Sequence, residues 1–297
     1  MQISNQAYQN LSRLIYDKFG IALGNDKQVL VTTRLLPLMQ KQGFRSFEEY
    51  YNHLSQDKTG KALLALANQI TTNYSFFYRE GEHFDFLREF ALPQKITQPP
   101  SLNTPNLHIW SAGCSSGEEA YTLSMVLEDF FQTPTSRWDI GILATDIDTN
   151  MLNQASQAIY SEDRLRNIPP MMRMRYFQSI SAHQWQIKPE VRNYVHFSRF
   201  NLIQPNFSFK SKFFAIFCRN VMIYFDKPRV KKLIQNFYDV TEEQGYLFIG
   251  QTESLDKDDC PYEYVAPAIY QKRKLTRTVQ KPEIPGSSDK THLFEMP

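Results

Sequence analysis

Cysteine is scarce in this chain. Cys114, Cys218 and Cys260 lie far apart, and no CxxC pair or Cys/His ligand spacing appears. That excludes a disulfide framework and predicts reduced thiols and no zinc. The six histidines are scattered, none with a ligand partner at helical spacing, so no metal is expected. Long apolar runs are missing too; "FFAIF" is typical of the longest, so no direct membrane insertion is expected. The stretch "MQISNQAYQN" has no charged n-region and no apolar h-region, and does not read as a signal peptide. Neither sign of charge prevails: 33 basic against 31 acidic residues leave a formal +2, which argues against a bulk nucleic-acid binder. What the chain does have is apolar mass, 42% of 297 residues, enough for two ordinary domains with real cores. The expectation is a cytoplasmic globular protein.

Residues 1–72 read as helices only. "YQNLSRLIYDKFGI" places Leu11, Leu14, Ile15 and Phe19 at helical spacing, with Gly20 as the stop. A second helix is expected over Lys27–Gln42, capped by Asp26 and kinked or disturbed at Pro37. "SFEEYYNHL" opens with a capping-box pattern, Ser46 and Glu49, and "GKALLALANQIT" reads as a fourth helix. From about residue 105, strands and helices alternate: "NLHIWSAG", "GEEAYTLSMVLEDFF", "WDIGILATDID", "NMLNQASQAIY", then "KFFAIFCRN", "DKPRVKKLIQNFYDV" and "GYLFIGQTES". This pattern predicts a parallel sheet covered on both faces, an α/β Rossmann-like fold. Residues 160–200 break the rhythm and read as a small inserted β-subdomain. The polar stretch 276–297 reads as a mobile tail.

In doubly wound sheets, ligands bind beyond the carboxyl ends of the strands. Gly113 and Gly117 follow the first strand, where backbone approaches a ligand closely. Asp146 ends the second strand, the usual place for an acceptor of two ribose hydroxyls. The glycine loop is neither GxGxxG nor GxxxxGK[ST], and its Glu118 and Glu119 suit a cation better than a phosphate. A phosphate-free nucleoside with a positive centre is S-adenosylmethionine. The plainer alternative, two acids favouring a helix N-terminus, accounts for the glutamates equally well but leaves Asp146 unaccounted for.

Five blocks in order, "TTNYSFFYRE", "WSAGCSSGEEAYTLSM", "ATDIDTNMLNQA", "FCRNVMIYFDKP" and "GYLFIGQTESL", closely resemble the CheR-type methyltransferases that methylate bacterial chemotaxis receptors. The resemblance spans roughly residues 5–273 and implies the following. The activity is transfer of a methyl group from S-adenosylmethionine to receptor glutamates, giving glutamyl methyl esters for sensory adaptation and leaving S-adenosylhomocysteine. Residues 1–72 form the receptor-contacting helical domain, 73–90 a linker that contributes to the cofactor site, and 91–275 the methyltransferase domain. Asn73, Ser75 and Arg79 line the cofactor pocket from the linker, although the family more often has Thr at Ser75 and spells the block "FFR" where this chain has "FFYR". Glu119 and Asp146 hold the methionine end and the ribose. Asn201 and Leu202 flank the adenine, and Cys218, Arg219 and Tyr224 belong to the loop near the methyl group. A glutamate carboxylate, with a reference pKa of ~4.3, is already ionised and needs no general base. Arg79 is expected to orient it through a two-pronged contact, and Tyr224 to donate a hydrogen bond or lean its ring towards the sulfonium.

Lys27, Arg34 and Lys41 are seven residues apart, on one face of the second helix, and are the expected contacts to acidic receptor helices. A solubilising stripe explains them equally well. The expected partner is the cytoplasmic helical domain of chemoreceptors, met by a monomer, with no nucleic acid. Two other functions compete: a non-catalytic scaffold on the same fold, and a methyltransferase acting on a small molecule.

Overall fold

The computed structural model describes residues 1–71, 73–97, 105–131, 138–256 and 260–273. The expected tail at 276–297 lies outside them.

Four helices open the chain: α1 Asn5–Phe19, α2 Gln28–Gln42, α3 Phe47–Gln56 and α4 Lys61–Ile70. Their ends are set by local chemistry. The Ser4 hydroxyl accepts the Ala7 amide, and α1 stops at Gly20 in the left-handed region. Ser46 caps α3 through the Glu49 amide at 3.1 Å, but the Glu49 carboxylate reaches back to the Arg45 amide instead of that of Ser46. Asp57 accepts the amides of Thr59, Gly60 and Ala62 at the entry to α4. Asp26 does not cap α2: Asn25–Lys27 form a 3-10 turn, and the helix begins one residue later than expected and runs through Pro37. Leu11, Ile15, Leu35, Met39, Phe47 and Leu66 are fully buried in one core, and Ile147 and Tyr224 of the second domain pack against it.

The sheet is built from β1 Asn106–Ala112, β2 Asp139–Asp146, β6 Val195–Arg199, β7 Phe213–Cys218, β8 Thr241–Ile249, β9 Glu263–Ala266 and β10 Ile269–Gln271. Its order is β6-β2-β1-β7-β8-β10-β9. The first five strands are parallel, and β10 runs antiparallel to β8 and β9. Helices α7 Glu118–Phe131, α8 Thr149–Gln157 and α11 Lys227–Val240 connect the parallel strands. Short helical segments, α5 Glu82–Phe86 and α6 Leu92–Thr97, lead in from the helical domain. Trp110 sits at the centre of β1, fully buried and ringed by Phe200, Phe207, Phe209, Phe213 and Phe237 at centroid distances near 5 Å.

The insertion is a three-stranded antiparallel sheet, β3 Ile159–Ser161, β5 Gln184–Ile187 and β4 Phe177–Ser181, with α9 Pro170–Tyr176 before β4 and α10 Pro189–Arg192 after β5. It is shorter than 160–200: β6 leaves it and pairs in register with β2, Leu143 against His196 and Asp146 against Arg199. The alternation in "VRNYVHFSRF" looked like an exposed strand because β6 is an edge strand of the main sheet.

His83 on α5 is buried against the sheet, 5.8 Å from the Phe248 ring on β8. Burial, then the nearby Arg219 charge, pushes its pKa down to about 4 from 6.5. The group is neutral in the folded chain and binds a proton in the unfolded chain, so its contribution to stability is intact above pH 6.5 and is lost as pH falls towards 4. Between pH 7.5 and pH 5 this one group is expected to cost about 2 kcal/mol. Urea unfolding at the two pH values measures it: His83→Gln should show a pH-dependent loss smaller than wild type by that amount.

Candidate functional site

The strand order turns around at β1, whose neighbours β2 and β7 lie on opposite sides. The crevice at their carboxyl ends is the position where this class of sheet accepts ligands. A cavity opens there, between the loops after β1, β2, β6 and β7 on one side and residues 70–71 and 73–79 with the end of α1 on the other.

The β1 loop is held by two amides, Gly113 and Cys114, which donate to the Thr145 carbonyl at 2.8 and 2.9 Å. Gly113 has φ +94°, and a Cβ on it would stand 2.4 Å from Val221 Cγ2. Val221 is stiff at χ1 and cannot step aside freely. Gly113→Ala is therefore expected to destabilise the fold by about 2–4 kcal/mol and weaken ligand binding; urea denaturation and calorimetry check both.

Asp146, at the end of β2, uses one oxygen for the Ser115 amide at 2.8 Å and the other for the Asp148 amide at 2.9 Å. Burial pushes its pKa up, opposed by those amides. A carboxylate offers about four acceptor positions, so two amides leave capacity for two hydroxyls. Ser115 lines the same wall, and its buried hydroxyl has no hydrogen-bond partner among the described residues. Asp148 in turn caps α8 and accepts the Asn73 amide group at 2.7 Å, tying residue 73 to the ribose-type acid through one intermediary.

The two glutamates of the loop part company. Consecutive helical residues point about 100° apart. Glu119 reaches the cavity; it accepts from Ser111 Oγ at 2.6 Å and pairs with Arg219 at 3.1 Å. Burial raises its pKa and Arg219 opposes the rise. Glu118 is fully buried away from the cavity, held by Ser116 and Arg164. Only one of the pair can meet a ligand.

Arg219 is 2% exposed and lies between Glu119 and Glu80, each at 3.1 Å, over the Phe84 ring. Glu80 did not stand out in the sequence. It sits at φ +54° in the turn after Arg79, and its carboxylate also meets the Gln251 amide at 3.3 Å and Asn220 Nδ2 at 3.4 Å. The only hint was its place in "FFYRE".

Asn73, Ser75, Arg79, Gly113, Glu119, Asp146, Asn201, Leu202, Arg219 and Tyr224 all line this one cavity. Cys218 does not: it is the fully buried last residue of β7, and burial lifts its thiol well above the usual range. Cys114 lines the cavity, and burial lifts its thiol above the usual range as well, so neither cysteine is suited to act as a nucleophile. Arg79 Nη1 donates to the Tyr74 carbonyl at 3.0 Å. Asn201 is held by the Lys18 carbonyl at 2.9 Å, and the Tyr224 carbonyl accepts the Ala22 amide at 2.9 Å. The helical domain thus supplies part of the wall, Phe19, Ile21 and Ile70. Apolar residues at helix ends look like core in a sequence, and these three carried no separate signal.

The basic stripe does not form. Lys27 lies outside α2, exposed and 3.5 Å from Asp26. Arg34 is half-buried and donates to the carbonyls of Ile70 and Thr71 at the end of α4. Lys41 is exposed in the last turn. Carbonyls left unpaired at a helix C-terminus capture the guanidinium that spacing alone assigned to a partner. The charge at Arg34 supports the cavity wall.

The donor set fits S-adenosylmethionine. A ribose-type acid, a hydroxyl with no partner among the described residues, the apolar side chains Ile147, Phe200 and Leu202, and the Glu119 carboxyl group line one cavity, and no described residue of its lining is a lysine that could receive a phosphate. Among the described residues no group of three or more His, Cys, Asp or Glu could hold a metal ion, and no helix is long and apolar enough to cross a membrane.

The family description "CheR methyltransferase, all-alpha domain" matches residues 6–71, and "CheR methyltransferase, SAM binding domain" matches residues 73–269. A chemotaxis protein methyltransferase of Borreliella burgdorferi is 38% identical over 274 residues, 92% of this chain and 96% of that protein. The Escherichia coli chemotaxis protein methyltransferase is 33% identical, covering 86% of each chain. Chemotaxis protein methyltransferase 1 of Pseudomonas aeruginosa is 32% identical over 92% of this chain and the whole of that protein. Matched through both its helical and its sheet domain, this chain belongs to the CheR family and is an S-adenosylmethionine-dependent methyltransferase of chemotaxis.

Proposed function

We propose that the acceptor is the side-chain carboxylate of glutamates on the helical cytoplasmic domain of chemoreceptors, and the product a glutamyl methyl ester. One observation carries this reading: among the described residues no histidine or lysine lines the cavity, and its two carboxylates hold the Ser115 and Asp148 amides, Ser111 and Arg219, with the capacity that remains assigned to the cofactor. Apart from those two carboxylates, the described lining offers no general base for an amine or alcohol. A carboxylate needs no such help, because it is ionised at neutral pH. An acidic helix as substrate also agrees with the names of the relatives, which are chemotaxis methyltransferases.

S-adenosylmethionine, when bound, supplies a sulfonium-activated methyl group. In this reading Asp146 and Ser115 hold the ribose, and Asn201, Leu202 and Ile147 flank the adenine. Glu119, paired with Arg219, faces the methionine end. Arg79, 30% exposed and with donors beyond the one given to Tyr74, aligns the acceptor carboxylate. Tyr224 stands beside it. The work is alignment and exclusion of water, for which the apolar wall from the helical domain is suited. Lys41 in the last turn of α2 and Lys27 just before its start are the exposed charges left to meet an acidic helix.

Incubation with methyl-labelled S-adenosylmethionine and a receptor cytoplasmic fragment tests the proposal. Label should enter the fragment and leave as methanol on mild alkali. Alkali-stable label would assign transfer to nitrogen or sulfur instead.

A further inference from the structure

The turn after β7 carries Val221, Ile223 and Tyr224 to the cavity. Its conformation is unusual: Asn220 lies at φ +59°, and Met222–Tyr224 form a single 3-10 turn. Glu253, four residues past the end of β8, reaches beneath it. One carboxylate oxygen accepts the amides of Asn220 at 3.0 Å and Gly250 at 2.6 Å, and the other accepts the Ile223 amide at 3.2 Å. The approach needs Gly250, where a Cβ would stand 2.5 Å from Asn220 Nδ2. Burial raises the Glu253 pKa, and backbone amides, not a cation, oppose the rise.

We propose that Glu253 is a positioning residue for methyl transfer: by gripping the Asn220 and Ile223 amides it fixes the turn that presents Tyr224 at the cavity. The inference rests on the role of Tyr224 proposed above. The cofactor contacts do not pass through it. Asp146, Ser115 and Glu119 lie on other loops, and Arg219 is held separately by Glu80 and Glu119. Glutamine in place of Glu253 keeps one oxygen and turns the other position into a donor. The oxygen that serves two amides is the better kept, so an NH2 would then face the Ile223 N–H at the start of the Tyr224 turn.

The test compares kcat for methylation of a receptor fragment with calorimetric S-adenosylmethionine affinity in the full-length protein. Glu253→Gln should lower kcat by about tenfold or more while Kd stays within about threefold. Glu253→Asp, with the charge but less reach, should recover part of the rate. Tyr224→Phe should also be slow, and the double variant Glu253→Gln/Tyr224→Phe no slower than the slower single. Full kcat in Glu253→Gln beside a slow Tyr224→Phe overturns this inference alone. Full kcat in Tyr224→Phe removes the role of Tyr224 and the inference with it. Parallel loss of Kd and kcat, or additive losses in the double variant, would make Glu253 a fold residue only and likewise overturn it.

Discussion

Asp146→Ala is expected to weaken S-adenosylmethionine binding by about 100-fold or more, with little change in the fold. In the proposed assignment, two charge-assisted hydrogen bonds to ribose hydroxyls are lost, at about 1.5–3 kcal/mol each. The substitution also strips the Ser115 and Asp148 amides of their acceptors, which loosens the wall that presents Ser115. Asp146→Asn keeps the shape and one oxygen, so it should fall between alanine and wild type. Calorimetry with S-adenosylmethionine and S-adenosylhomocysteine separates the cases. Both ligands carry the ribose, so both should weaken alike; unchanged affinity in Asp146→Ala refutes the ribose assignment.

Arg219→Met should cost about 3–5 kcal/mol of stability at neutral pH, because it leaves Glu80 and Glu119 without their shared cation. Both carboxylates are nearly buried, 12% and 13% exposed, so solvent does little to screen them. The sign of the pH dependence follows. Glu119 already has a raised pKa, and losing Arg219 raises it further. The folded variant then binds protons more readily than the unfolded chain, so its deficit relative to wild type should shrink as pH falls from 7.5 to 5.5. Adding Glu119→Gln should restore part of the loss at pH 7.5. Urea unfolding of the three proteins measures this; a deficit that grows on acidification would contradict the account.

The parallel part of the sheet could be read from the sequence because buried strands are continuous apolar runs, as in "KFFAIFCRN" and "WDIGILATDID". The antiparallel β9 and β10, four and three residues long, are too short to show a period. The strand β6 was assigned to the insertion because sequence separation says nothing of which sheet a strand joins. At the site, Gly113, Asp146 and Glu119 were legible, since loop chemistry restricts the residues that fit. Glu118 was misread because neighbours on a helix face different ways, and Arg34 because a stripe argument assumes that long side chains stay in water. Glu80 and Glu253 act through backbone amides and a buried arginine, contacts that spacing does not reveal.

In the proposed function, the cavity around Gly113 and Asp146 delivers a methyl group to a receptor glutamate. Site-resolved mass spectrometry of a receptor cytoplasmic fragment, after reaction with S-adenosylmethionine and wild-type protein or Asp146→Ala, tests it most directly. Wild type should leave a methyl group on glutamate side chains, removed by mild base, and Asp146→Ala none at limiting cofactor. Methylation at lysine or another side chain, or equal glutamate methylation by both proteins, would contradict it.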